Sequence, residues 1–253
     1  MTFLILLESL KFHKLKHERA VQIGFVSLFL LNLAILVLPI GDRNFDALFL
    51  AFDELMEGNL AVQPAWELLS PGNMLLIGLM LLLNLVMLFF SYVYATLYIG
   101  EHDGMTPGQA VWRCLKALPA LVLLGLAMLL PAIVSIMFAF IPVFVFLLMM
   151  YFLPLNLSLD RQSLNDAIRH SFEMTSKKKL FILVQTILLS LVLGMPQNLL
   201  LNLSGKNQIA YAAISCFFMV IRSFTQGRLM GILYLFLVKK VPLVIPSKPS
   251  QPQ

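Results

Sequence analysis

The chain has 253 residues, 60% of them hydrophobic and 12% charged, with a formal net charge of +5. An ordinary soluble domain is about a quarter charged, so this composition excludes a water-soluble globule and calls for a hydrocarbon solvent. The positive balance does not point to nucleic acid, because the charges punctuate apolar runs and form no basic face with interleaved aromatics.

Residues 1–19 mix apolar side chains with Lys11, Lys14, Lys16 and Arg19. Phe3, Leu6, Leu7 and Leu10 recur at helical spacing. The stretch is too short to cross a bilayer and predicts an interfacial helix with its bases toward anionic headgroups. It lacks the basic n-region of a cleavable leader. The first predicted span is 20–40, stopped by Pro39 and Gly41. Residues 41–72 are acidic: Asp42, Asp46, Asp53, Glu54, Glu57 and Glu67 face Arg43 alone. Phe45, Leu48, Phe49, Phe52 and Leu55 recur every three or four residues there, which predicts an amphipathic helix over 45–56 on the outer surface.

The second predicted span is 73–99. Tyr92, Tyr94 and Tyr98 near its end read as an aromatic belt. Residues 100–116 are polar, with a short helix. Residues 117–157 are an unbroken apolar run. As one helix it would be about 60 Å long, twice the hydrocarbon thickness. It therefore predicts two spans, 117–136 and 139–157, with a tight turn before Pro142. The fifth span is 180–200 and the sixth 209–238, closed by Lys239 and Lys240. The Pro-rich tail 241–253 predicts disorder. The fold class is all-α: an integral membrane protein of six transmembrane helices with amphipathic surface helices, in one domain over 1–240. Of the 18 Lys and Arg, 14 fall in the segments before span one, after spans two and four, and after span six. The positive-inside rule then puts both termini in the cytoplasm. Cys114 and Cys216 are too few for a disulfide framework, lie in different layers, and predict no bridge.

The two inner loops repeat at an offset of 57 residues. Asp103, Thr106, Ala110, Val111, Cys114 and Leu115 align with Asp160, Ser163, Ala167, Ile168, Ser171 and Phe172. Each copy opens with a capping-box pattern, Thr106 with Gln109 and Ser163 with Asp166. Pro107 suits a first helical position. In the second copy Leu164, Ile168, Ser171 and Phe172 share one face, with Asn165, Asp166, Arg169 and Glu173 on the other. The bland reading is a pair of surface helices guiding re-entry of the chain. The functional reading is a docking surface for a cytoplasmic partner or a lipid headgroup.

A helical hairpin, Pro154 near the inner end of the fourth span, and a short helix carrying Ala167, Ile168, Ser171 and Phe172 come next to a basic approach. In these features residues 66–240 resemble the YciC-type bacterial membrane proteins. These are similar to the membrane domain that accompanies some glycerophosphodiester phosphodiesterases. The resemblance implies a six-helix inner-membrane protein and brings no activity with it.

Arg222 lies near the middle of the last apolar segment. A charge at the bilayer centre costs about 2.5–3.5 kcal/mol on insertion scales, so it calls for a partner. With no acid inside any span, the candidate anion- or lipid-binding set is Arg222, Arg228 nearer the inner side, Asn84 and Asn32. The alternative is a structural arginine, with the two asparagines bonding across helices for about 0.6 kcal/mol each. Gly24, Gly78 and Gly194 predict close helix contacts. His13 and His17 have metal-capable spacing but no third ligand, so neither a metal nor a cofactor is expected. Catalytic patterns are missing as well: no HExxH, GxSxG, Walker loop or CxxC.

The expectation is a non-enzymatic multi-pass protein of a bacterial cytoplasmic membrane, an accessory or scaffold in envelope or lipid homeostasis. Its expected partners are the bilayer, an anionic lipid and a membrane protein, with no nucleic acid. One alternative is a small transporter or lipid-handling protein with an anionic site at Arg222. Another is an immunity protein, whose acidic outer loop meets a cationic membrane-active peptide.

Overall fold

The computed structural model describes residues 2–58, 64–135, 141–205 and 207–241. All regular structure in them is helical. In chain order the helices are α1 (Thr2–Leu10), α2 (Glu18–Val37), α3 (Asp46–Met56), α4 (Ala65–Leu68), α5 (Pro71–Gly100) and α6 (Pro107–Ala127). They continue with α7 (Leu129–Ser135), α8 (Ile141–Met149), α9 (Leu153–Ser158), α10 (Leu164–Thr175), α11 (Lys179–Ser204) and α12 (Gln208–Leu237). Among the described residues six segments are long and apolar enough to cross a membrane: α2, α5, α6, α8 with α9, α11 and α12. The chain is a multi-pass membrane protein. The amphipathic helix expected over 45–56 is α3. The turn expected between spans three and four, and tail residues 242–253, lie outside the described residues.

Two predicted boundaries move. The short inner helix and the third span are one helix, α6, which runs through the expected break at 117. The capping box starts it, with Gln109 N–H donating to Thr106 Oγ1 and Thr106 N–H to Gln109 Oε1. Nothing stops it before Ala127, and Pro119 is accommodated inside. The fourth span, expected as continuous, is broken between α8 and α9. A break inside a bilayer survives only where other groups take the freed backbone atoms. Here Ser171 Oγ donates to the Met149 carbonyl at 2.8 Å, and Thr175 Oγ1, which bonds the Ser171 carbonyl at 2.9 Å, lies 3.2 Å from the same Met149 oxygen.

The helices pack into two compact units. The first draws on Met1–Val21, Phe90–Gly194 and Arg222–Gln253, the second on Gln22–Phe89 and Met195–Ile221. The helices α2, α5, α11 and α12 each contribute residues to both.

In the first unit α9 is buried along its whole length. Leu153 and Leu157 pack with Ala117, Met150 and Ala167. Its hydroxyl end joins a buried polar row in which Ser158 Oγ lies 2.9 Å from Thr96 Oγ1, itself 3.4 Å from Cys114 Sγ. The 57-residue repeat appears in the packing. Ala110 and Ala167 are both wholly buried, and Cys114 and Ser171 are buried one turn further on. The caps differ for a stereochemical reason. Asp166 is one methylene shorter than Gln109, and it accepts the Ser163 hydroxyl proton at 2.6 Å.

The expectations for Gly78 and Gly194 are corrected. A Cβ on Gly78 or Gly194 would meet open space, whereas one on Gly227 would lie 2.4 Å from the Ser91 carbonyl oxygen and one on Gly231 2.6 Å from Tyr98 Cδ1. The close approach is between α12 and α5. Both cysteines are buried and free, as expected.

Candidate functional site

The first unit contains a buried cation with several bonds, Arg228. α12 carries Arg228 at 5% exposure to a point faced by α5 and by the N-terminal segment. Its Nε donates to the Glu8 carbonyl at 2.7 Å and its Nη1 to the Lys14 carbonyl at 2.9 Å and to Tyr94 Oη at 3.4 Å. Nη2 lies 3.8 Å from the Glu8 carboxylate. The guanidinium also sits 4.9 Å from the Tyr98 ring centroid, a cation–π distance. Tyr94 in turn donates to the Phe12 carbonyl, and its ring meets Phe224 edge-on at 5.6 Å.

The site follows from elementary requirements. An Arg in a span must find acceptors, and the carbonyls at the end of a helix lack intrahelical partners. α1 ends at Leu10, and the irregular stretch after it offers the Lys14 carbonyl. One planar fork then satisfies both needs at once. α1 is therefore more than an interfacial helix. Ile5, Leu6 and Ser9 are buried, while Phe3 and Leu7 point outward. The stretch after it is clipped again where His17 N–H donates to Glu101 Oε1 at 3.3 Å and Lys16 Nζ to the Glu101 carbonyl. Two further ties join the segments expected to share the inner side: Tyr234 Oη with Asp160 Oδ2 at 3.1 Å, and Lys178 Nζ with the Leu237 carbonyl.

The four expected anion-site residues fare differently. Arg228 is held by its own chain, with its donors directed at Glu8, Lys14 and Tyr94. Arg222 is exposed halfway along α12. Asn32 and Asn84 belong to the second unit. Asn32 is buried and does bond across helices, with Nδ2 2.7 Å from the Leu28 carbonyl and 3.6 Å from Met87 Sδ. Asn84 is exposed and bonds only along its own helix, to the Met80 carbonyl at 2.8 Å.

Sequence reasoning missed Glu8, Tyr94 and Tyr98 as partners of Arg228. The available signal was Glu8 itself, an acid embedded in TFLILLESL, which needs a cation as much as Arg228 needs an acid. Among the described residues no group of three His, Cys, Asp or Glu is placed to hold a metal. No family model, curated protein or solved structure matches the chain.

Proposed function

We propose that the chain is a non-enzymatic accessory or scaffold subunit of a bacterial inner membrane, with both termini cytoplasmic. It would serve envelope or lipid homeostasis by docking a membrane-protein partner. The observation that carries this reading is the division of α10 into two faces. Ala167, Ser171 and Thr175 are buried and hold the broken fourth span. Asn165, Asp166, Arg169 and Glu173 are exposed. Arg169 and Glu173 pair at 3.2 Å with side chains 81% and 60% exposed. Such a pair adds only about 0.3–0.5 kcal/mol to a helix, so its value lies in what it presents. The excess of Lys and Arg in the segments tied together in the first unit supports a cytoplasmic face for α10, as does the resemblance to the YciC-type proteins.

The test is native mass spectrometry of the protein extracted gently from its own membrane, beside the double variant Arg169→Glu, Glu173→Arg. The wild type should carry one other membrane protein at fixed stoichiometry, and the variant should lose it while remaining folded. A wild type that carries no protein, or a variant that retains it, would overturn the reading.

The exposed position of Arg222 favours a second reading, a lipid-handling protein with an anionic group at that arginine. An anionic lipid bound by wild type and lost in Arg222→Ala would favour it; unchanged lipid binding would remove it.

A further inference from the structure

The second unit holds a cavity that neither reading uses. Its volume is about 530 Å3, and its walls include Leu36 and Val37 at the end of α2, Arg43, and Asn207, Ile209 and Tyr211 at the start of α12. Small-molecule sites commonly fall in the range of roughly 300–1,000 Å3.

Arg43 is built into this place. Its φ of 57° lies in the left-handed region that side chains other than glycine avoid. Neighbouring groups hold it there. Its N–H donates to Asn73 Oδ1 at 2.9 Å, and its Nη2 donates to the Leu36 and Leu38 carbonyls at 2.7 and 2.8 Å. Asn73 is 1% exposed, and its Nδ2 donates to Asp42 Oδ1 and to the Asn44 carbonyl. Gly41 completes the wrap at φ 71°, where a Cβ would lie 2.3 Å from Asn73 Oδ1. Residues 41–44 are thus folded around one buried amide, which fixes where the guanidinium stands. Among the described residues its Nε and Nη1 have no hydrogen-bond partner. The start of α12 is already capped, because Asn207 Oδ1 accepts from Ile209 N–H and Ala210 N–H at 3.1 Å each. Among the described residues, the positive group offered to the cavity is therefore Arg43.

We propose that this cavity holds the headgroup of a zwitterionic glycerophospholipid. Its phosphodiester lies on Nε and Nη1 of Arg43, and an acyl chain runs against Leu36, Val37 and Ile209. Two observations choose this occupant. The cavity opens where two membrane-crossing helices end, and its walls pair a cation and amides with side chains that stay largely exposed, Val37 at 49% and Ile209 at 69%. A lipid covers both kinds of wall, whereas a free phosphate would leave the apolar one in water. Residues 41–72 also carry six acids and one Arg. That field repels a headgroup of net negative charge and welcomes an ammonium beyond the phosphate.

The test is native mass spectrometry of the full chain released from nanodiscs of phosphatidylethanolamine, phosphatidylglycerol or an equal mixture. The wild type should retain one phosphatidylethanolamine, also from the mixture. Arg43→Gln removes the charge. Ile209→Trp narrows the cavity from an exposed position on α12 while leaving the Arg43 charge in place. Each should lower the retained fraction roughly tenfold, the loss of a charge-assisted contact or of the space for it. The charge-reversed α10 should retain the lipid, which keeps this test separate from that of the docking reading. Retention unchanged in both cavity variants, preferred retention of phosphatidylglycerol, or displacement by millimolar inorganic phosphate would overturn the proposal.

Discussion

The two units are held together by different means. In the first, helices are joined by polar bonds across elements: Thr96 to Ser158, Ser171 and Thr175 to the Met149 carbonyl, Tyr234 to Asp160, and Arg228 to Glu8, Lys14 and Tyr94. In the second, helices meet through apolar contacts such as the edge-on rings of Phe25 and Phe217, 5.8 Å apart. A weak side-chain contact, Asn32 to Met87 Sδ at 3.6 Å, accompanies them. Its spans show wide apolar surface, with Ile23, Leu81, Leu85 and Leu199 each more than 60% exposed. Lipid is as apolar as leucine, so burying leucine against leucine gives little drive for association inside a bilayer. Close backbone approach and polar bonds supply it. The first unit shows both, in the approach of α12 to α5 at Gly227 and Gly231 and in the bonds above.

The contrast breaks most visibly at Arg228. Arg228→Met should destabilise the protein by about 3 kcal/mol, since it removes the guanidinium's bonds to the Glu8 and Lys14 carbonyls and to Tyr94 Oη at a buried point. Denaturant titration in detergent would measure it, and the stretch Lys11–Arg19 should become sensitive to trypsin. The same change at Arg222 should cost far less, because that side chain is exposed. Glycine replacements come next. Gly227→Val forces a side chain against the Ser91 carbonyl and should cost about 2 kcal/mol. Gly78→Val in the second unit meets open space and should stay within about 0.5 kcal/mol of wild type. Equal effects at the two glycines would erase the distinction.

Ser171→Ala with Thr175→Val orphans the Met149 carbonyl and should cost about 1–2 kcal/mol. The smallest effect is a pH dependence in the second unit. The Asn44 N–H and the Asn73 amide hold Asp42 below its usual carboxylate value of 3.8. Its charged form is the one the loop stabilises. That contribution is complete above the unfolded value and is lost as pH falls through the lower folded one. Thermal stability should therefore show no pH dependence from Asp42 between pH 7 and pH 5, where its contribution is complete, and Asp42→Asn should flatten only the acid limb.

Much of this fold could be read from the chain because its largest signal, apolar length, is local. Six spans, the α3 helix and both inner capping patterns needed no tertiary information. What stayed hidden depends on partners distant in sequence. The break after Met149 is tolerated because two hydroxyls from α10, more than twenty residues on, reach its carbonyl. The continuity of α6 past residue 117 was hidden by the change from polar to apolar composition, which marks the membrane boundary rather than the end of a helix. The candidate site was half legible. Position along the last span drew attention to Arg222, but which face a residue presents is set by helix rotation. Six residues at about 100° each place Arg228 about 120° around the axis from Arg222, and packing put Arg228 inside. Asn73 and Arg43 carried no pattern at all, since a left-handed arginine looks like any other in the chain.

Hydrogen–deuterium exchange of the protein in lipid nanodiscs tests the central claim, that the first unit is a fixed base closed by Arg228 on the N-terminal segment. In wild type the amides of α1 should exchange nearly as slowly as those of α12 around Arg228, and Arg228→Met should release α1 alone. Fast exchange of α1 in the wild type, or slow exchange that survives the substitution, would contradict the account.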